Sequence, residues 1–200
     1  MPKRLFDIFC SVIGLFVLLP LFLVIALWIK LDSKGPVFFR QNRVGRFGQP
    51  FLIHKFRTMR INSESAGRLT VGRDSRITRS GHFLRKFKLD ELPQLIDVLF
   101  GDMSLVGPRP EVQEFIDHYP KDVRTKVLSV RPGITDRASI EMVDENEILS
   151  KYVDSAQAYI DVILPLKQRY YIEYVESHGV VTDIKIIFKT ILKIFGRRSA

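Results

Sequence analysis

Two adjacent carboxylates, Asp90 and Glu91, sit in the segment Leu89-Asp90-Glu91-Leu92-Pro93-Gln94-Leu95. Pro93 suits the first turn of a helix, where its missing N–H costs nothing. A helix is therefore predicted from about Asp90 to Phe100, with Asp90 at or near the N-cap, Leu92, Leu95, Ile96 and Leu99 as its apolar stripe, and Gly101 ending it. Neighbouring side chains point in different directions, so one carboxylate can attack while the other holds a cation. Carboxylates form covalent intermediates with phosphorus, and Mg²⁺ takes one or two carboxylates together with substrate phosphate oxygens. A helix N-terminus also receives phosphate. Taken alone, the pair also reads as a cap and a first-turn acid with no chemistry.

The dyad follows a basic field. Arg40 to Lys88 holds thirteen Lys or Arg against two acids, whereas Leu89 to Ala200 holds fourteen against eighteen, so the net charge of +9 is concentrated ahead of the dyad. Such a segment fits phosphates, anionic lipid or nucleic acid. Arg40, Arg43 and Arg46 recur every three residues, Lys55 and Arg57 flank Phe56, Arg85 precedes the dyad, and Arg109 lies between two prolines. A rigid turn suits a bidentate arginine–phosphate contact. Nucleic acid is the poorer partner, because no helix-turn-helix or zinc signature is present. His54, His82, His118 and His178 lack metal-ligand spacing.

Two segments point to a membrane. Leu5 to Leu31 is apolar except for Asp7 and Lys30, longer than the ~20 residues a bilayer span requires. Pro20 interrupts it, and both flanks are basic, with Lys3 and Arg4 before and Lys30 and Lys34 after. A simple span tolerating its proline is the favoured reading on pattern alone. The alternative is a re-entrant hairpin turning at Leu19-Pro20 with both ends on the cytoplasmic side. Asp183 to Phe195 is amphipathic, with Ile184, Ile187, Phe188, Ile191, Leu192 and Phe195 on one face and Lys185, Lys189 and Lys193 on another. It reads equally as an interfacial helix or a core helix. The single cysteine, Cys10, excludes an internal disulfide and leans towards the cytoplasm.

Other elements are expected from local pattern. Val37-Phe38-Phe39 and Phe51 to Phe56 make a β-hairpin around the Gly45–Pro50 turn, Asn62 to Ser75 is a loop, and Ser80 caps a helix through Phe87. Glu111 to His118 and Asp122 to Leu128 are short helices, Glu141 to Glu147 is an acidic loop, and Ile148 to Glu176 is a long helix with Pro165 as a boundary.

Seven motifs occur in order: Lys3-Arg4-Leu5-Phe6-Asp7, Gly35 through Gly45, Lys55-Phe56-Arg57-Thr58-Met59, Leu89 through Leu95, Gly101-Asp102-Met103-Ser104, Gly107-Pro108-Arg109-Pro110 and Arg131-Pro132-Gly133-Ile134-Thr135. Together they resemble the bacterial sugar transferases, the small monotopic polyprenyl-phosphate phosphoglycosyl transferases. The resemblance implies transfer of a phospho-sugar from a UDP-sugar to undecaprenyl phosphate, with release of UMP, at the cytoplasmic face of the bacterial inner membrane. It implies a Mg²⁺ cofactor, Asp90 as covalent nucleophile and Glu91 as metal ligand. Lys55, Arg85 and Arg109 match positions that bind phosphate or hold the site. Gln41, Arg43 and Arg57, within the matching motifs, and more loosely Asp183, join the substrate-binding set.

The resemblance reverses the reading of Pro20 in favour of the hairpin. It implies an α+β, mostly α fold: a re-entrant membrane helix over residues 1–34, then a catalytic domain over 35–200 with a short β-hairpin and a C-terminal amphipathic helix over 183–195. Membrane lipid is an expected partner, and a homodimer is compatible. After Thr135 the common family pattern Gly-Leu-Ala-Gln is replaced by Asp136-Arg137-Ala138-Ser139. The donor sugar and the glycan built from it (O-antigen, capsule, exopolysaccharide or protein-linked) stay unassigned.

Overall fold

A computed structural model of the chain describes residues 2–61, 74–142 and 145–196. Most of the loop expected at Asn62–Ser75, and Asp144 of the acidic run, lie outside these residues. Among the described residues the architecture is mostly helical with two small two-stranded sheets.

Helix α1 (Pro2–Asp32) continues through Pro20. The expected break at Leu19-Pro20 is not seen as an interruption of the helix, and Pro20 is exposed. At 1.5 Å per residue such a helix is roughly 46 Å long if straight, yet both of its ends contact the rest of the chain. Near the start, Arg4 donates to the Val98 and Leu99 carbonyls, and Asp7 accepts from Ser104 Oγ (2.9 Å) and Leu105 N–H (3.2 Å). Midway, Gly14 lies against Leu95, where a Cβ would come within 3.1 Å. Towards the end, Phe22 meets Phe56 edge-on at 5.3 Å and Trp28 meets Phe83 at 5.3 Å. Asp32 closes the contact by accepting from Ser80 N–H and Oγ at 2.9 and 2.8 Å. The opposite face, including Leu5, Phe9, Phe16, Val17, Leu23, Val24, Leu27 and Leu31, is exposed and apolar. A one-sided apolar face of this extent suggests membrane association.

β1 (Phe38–Val44) pairs antiparallel with β2 (Pro50–Phe56), Arg40 opposite His54 and Gln41 opposite Ile53. β1 is longer than Val37–Phe39 because its polar residues alternate between faces. Gln41, Arg43 and Lys55 share one face; Arg40, Asn42 and His54 share the other. Helix α2 (Arg79–Lys86) is capped by Thr78, which accepts from Gly81 N–H at 3.0 Å, rather than by Ser80. Ser80 is instead committed to Asp32.

A 3₁₀ turn (Leu89–Glu91) precedes α3 (Gln94–Phe100), and Pro93 lies at the start of α3. The dyad therefore occupies its own turn, not the helix N-cap. Gly101 ends α3 at φ 100°, a conformation open to glycine. β3 (Ser104–Val106) pairs parallel with β4 (Gly133–Thr135). This sheet was not expected from pattern, since three-residue strands carry almost no alternation signal.

α4 (Gln113–Ile116) and α5 (Lys121–Val127) fall where short helices were predicted. α6 (Arg137–Glu141) and α7 (Glu145–Ser150) replace much of the expected acidic loop. Asp136 starts α6 with a capping box to Ser139, a local signal strong enough to offset the acidic composition. The long helix expected from Ile148 is interrupted at 151–154, where Asp154 caps α8 (Ser155–Ala158). α8 runs through a π-turn (Tyr159–Ile163) into α9 (Leu164–Ser177). Pro165 has no N–H for the Asp161 carbonyl, and a local π register absorbs the defect.

α10 (Val180–Gly196) has two apolar contacts. Ile186 is buried and Ile187 packs beside it, while Val181, Ile184, Phe188, Ile191 and Leu192 are exposed. The helix thus serves the core and presents an apolar face at once.

Candidate active site

The dyad is placed by an unusual residue: Lys88, immediately before the turn, adopts φ 57° and ψ 22°. A non-glycine residue there costs about 1–3 kcal/mol and persists only where the surroundings enforce it. The turn it starts buries both carboxylates, Asp90 at 9% and Glu91 at 7% exposure.

Their environments differ sharply. Glu91 is gripped by two cations: Lys55 Nζ donates to Oε1 at 2.9 Å, and Arg109 donates to Oε1 and, at 3.3 Å, to Oε2. Burial alone would raise the Glu91 pKa, but Arg109 and then Lys55 hold it well below the usual carboxylate range. The Arg109 guanidinium is correspondingly held protonated by Glu91. Burial lowers Lys55, with Arg109 adding to the effect and Glu91 opposing it. Asp90 Oδ1 is buried without a hydrogen-bond partner. Burial, followed by repulsion from Glu91, raises the Asp90 pKa, with Lys55, Lys88 and Arg85 pulling the other way.

The predicted residues divide into groups. Lys55, Arg109, Asp90 and Glu91 are brought together. Arg85 acts electrostatically on Asp90 and donates to Thr58 Oγ1 at 2.9 Å. Arg43 bonds to the residue after Arg109, donating to the Pro110 carbonyl (3.1 Å), and also donates to Gln41 Oε1 (2.7 Å) and lies 4.0 Å from Glu111. Arg57 takes a different position. It donates to the Ser33 carbonyl at 2.8 Å and to Lys34 O, satisfying carbonyls at the end of α1. Asp183 is fully buried, bonded to Lys3 and to the Tyr174 hydroxyl (2.8 Å) rather than to the Glu91 group. Both residues anchor α1 in this structure. Their sequence signals, an arginine two residues from a lysine and an acid in an amphipathic helix, do not separate anchoring from binding.

Some supporting residues were not legible. Asp97 in α3 accepts from His54 N–H (2.9 Å) and contacts His54 Nδ1 (2.5 Å), fixing β2 beside the helix that follows the dyad. Because Lys55 is the next residue, this pair sets where its ammonium reaches. Glu111 is likewise buried and accepts from the Tyr159 hydroxyl at 2.7 Å. Asp97 belonged to the polar side of a predicted helix and Glu111 to a helix end, so neither stood out.

Magnesium can be tested against this donor set. Among the described residues no group of three or more His, Cys, Asp or Glu could hold a metal ion. A protein-only cage is therefore not in evidence, but the chemistry fits an ion held largely by substrate phosphates and water with one or two carboxylates. Asp90 Oδ1 has no partner, and Glu91 Oε2 has a single long one.

A family model for bacterial sugar transferases matches residues 1–197. The chain belongs to the bacterial sugar transferase family. This bacterial sugar transferase is 40% identical over 98% of its length to a UDP-N-acetylgalactosamine-undecaprenyl-phosphate N-acetylgalactosaminephosphotransferase of Aeromonas hydrophila, covering 45% of that protein. It is 37% identical over 99% of its length to a UDP-glucose:undecaprenyl-phosphate glucose-1-phosphate transferase of Xanthomonas campestris pv. campestris, covering 40% of it. It therefore spans less than half of these two relatives. Its match to an exopolysaccharide production protein PSS of Rhizobium leguminosarum bv. phaseoli is 38% identical and covers 95% of this chain and 93% of that one.

Proposed function

We propose that this bacterial sugar transferase moves a phospho-sugar from a UDP-sugar to undecaprenyl phosphate and releases UMP, as the first membrane step of glycan assembly. The observation that carries the reading is the buried, unpartnered Asp90 Oδ1 beside a Glu91 locked by Lys55 and Arg109. The names of the relatives support the substrates.

In the first step an Asp90 oxygen attacks the phosphorus that bears the sugar. The new O–P bond forms as the bridging P–O bond breaks, and UMP leaves with the electron pair. In the second step a phosphate oxygen of the lipid attacks the same phosphorus and restores the Asp90 carboxylate. The acceptor and UDP-sugar need not meet. Desolvation leaves Asp90 reactive, while Arg109, Lys55 and Arg85 supply positive charge where phosphate charge is redistributed. Glu91, with its bound cations, is the residue that would hold Mg²⁺, which supplies charge neutralisation for the departing phosphate.

Residues 1–34 act as the membrane anchor and 35–200 as the catalytic domain on the cytoplasmic face of the inner membrane. Contact of both ends of α1 with the rest of the chain supports a re-entrant disposition. The exposed apolar faces of α1 and α10 then meet lipid at headgroup depth, where the acceptor phosphate lies.

The test is UMP release from a panel of UDP-sugars by the protein in lipid nanodiscs with Mg²⁺, with and without undecaprenyl phosphate. Turnover that depends on the lipid supports the reading. Absence of UMP from every donor, with no single-turnover burst, contradicts it.

A further inference from the structure

The turn that carries Arg109 has a second set of contacts. Gly107 N–H donates to the Thr135 carbonyl (3.1 Å) and Gly133 N–H to the Pro108 carbonyl (2.9 Å). The two segments approach so closely that a Cβ on Gly133 would fall 2.0 Å from Gly107 N. This contact locks the Arg109 turn to the residue that follows β4, Asp136.

Asp136 is 3% exposed. Its Oδ1 accepts from Ser139 N–H at 2.9 Å, but its Oδ2 has no partner. Two buried tyrosines share this property. Tyr119 is 6% exposed and Tyr171 1%, and neither hydroxyl has a partner. Tyr119 and Tyr171 lie in one buried cluster with Ala138, two residues beyond Asp136 on α6, and Asp136 acts electrostatically on both hydroxyls and on Arg109.

The same core contains an internal control. Tyr159 and Tyr174 are equally buried, yet their hydroxyls are bonded: Tyr159 to Glu111 and Lys167 at 2.7 and 3.0 Å, and Tyr174 to Asp183 and the Val106 carbonyl, both at 2.8 Å. A buried polar atom without a partner is costly, and phenylalanine would fill the same volume without the cost. The hydroxyls left without a partner are those of Tyr119 and Tyr171.

We propose that Asp136, Tyr119 and Tyr171 form the subsite that hydrogen-bonds the sugar hydroxyls of the donor, and so select which UDP-sugar is used. This rests on the function proposed above. The Gly107–Thr135 and Gly133–Pro108 contacts tie the Arg109 turn to Asp136, so a phosphate held at Arg109 carries its sugar towards these groups. A carboxylate oxygen and two phenols offer acceptors and donors suited to ring hydroxyls. A buried water is the competing occupant with the same chemistry.

The experiment uses the full chain in nanodiscs with undecaprenyl phosphate and Mg²⁺. It compares wild type with Tyr119→Phe, Tyr171→Phe and Asp136→Asn on UDP-glucose, UDP-galactose and their N-acetylated counterparts. The expected result is a fall of about tenfold or more in the ratio of kcat/KM between the best donor and its C4 epimer for at least one tyrosine variant, because polar discrimination rests on such bonds. The Tyr→Phe variants should unfold at or above the wild-type temperature. Unchanged donor ratios in active variants would overturn the subsite and assign these polar atoms to water, as would a large loss of thermal stability in both phenylalanine variants. A wild type that releases UMP from no donor would instead overturn the function proposed above.

Discussion

Asp90 and Glu91 are adjacent in the chain and opposite in environment: Glu91 is bonded to Lys55 and Arg109, whereas Asp90 Oδ1 has no hydrogen-bond partner. Two roles follow from one turn. A carboxylate paired with two cations is a poor nucleophile and a good organiser. A desolvated carboxylate with an unpartnered oxygen is the reverse.

Activity and stability should respond oppositely to Asp90. Its pKa is raised in the folded state, first by burial and then by Glu91. A group raised in this way contributes stability at pH below its unfolded pKa, and that contribution is lost as pH rises through the folded value. At neutral pH the ionised carboxylate is therefore a burden. Asp90→Asn should abolish UMP release and raise stability by about 1 kcal/mol, within the range for relief of a strained functional group. Thermal unfolding at neutral pH measures this; a lower Tm for the variant would count against a desolvated nucleophile.

The same shift predicts the acid side of the rate profile. Attack requires the carboxylate, so kcat/KM should fall as pH drops through a value above that of an ordinary aspartate. Glu91 is shifted down, so its contribution to stability is present above its unfolded pKa and disappears only as pH falls through its depressed folded value. Activity should therefore be lost at a higher pH than the fold. A rate profile and a pH-denaturation curve taken together decide this, and coincident midpoints would contradict it.

Arg109 should be intolerant of a change of shape. Both of its Nη groups reach Glu91 from a turn fixed by Gly107 and Gly133. Arg109→Lys keeps the charge but loses the fork, and Arg109→Ala leaves Glu91 buried with one cation fewer. The alanine variant should lose about 3 kcal/mol of stability, near the low end for breaking a buried pair. The lysine variant should retain more stability while losing kcat. Equal activity in wild type and Arg109→Lys would argue against a bidentate role.

Much of this arrangement was legible and some was not. Adjacent acids, a basic field and a proline-framed arginine are local patterns that singled out the dyad, Lys55 and Arg109, but only the ordered motifs of the family resemblance gave them roles. The hairpin was placed by its glycine turn, and α3 by its apolar stripe and Gly101. Lys88 was hidden because a left-handed lysine leaves no compositional mark. The dyad's separate 3₁₀ turn was hidden with it. Arg57 and Asp183 were readable as charged residues near motifs, but their bonds to the end of α1 and to Lys3 depend on tertiary contacts. The β3–β4 pairing, which joins Arg109 to Asp136, spans residues too few for any periodicity.

The disposition of α1 can be checked directly. With Cys10 replaced by serine, single cysteines at Pro2 and Lys34 should react with a membrane-impermeant thiol reagent from the same side of oriented vesicles. Both ends of α1 contact the remainder of the chain, which favours this outcome. Labelling from opposite sides would establish a simple span and contradict the re-entrant proposal.

The most direct test of the central claim is the intact mass of the protein incubated with its UDP-sugar and Mg²⁺ without undecaprenyl phosphate. A covalent Asp90 intermediate predicts a mass increase equal to one sugar phosphate, about one UMP released per protein, and loss of both in Asp90→Asn. Lipid-dependent turnover without any adduct or burst would contradict it and point to direct attack by the lipid phosphate.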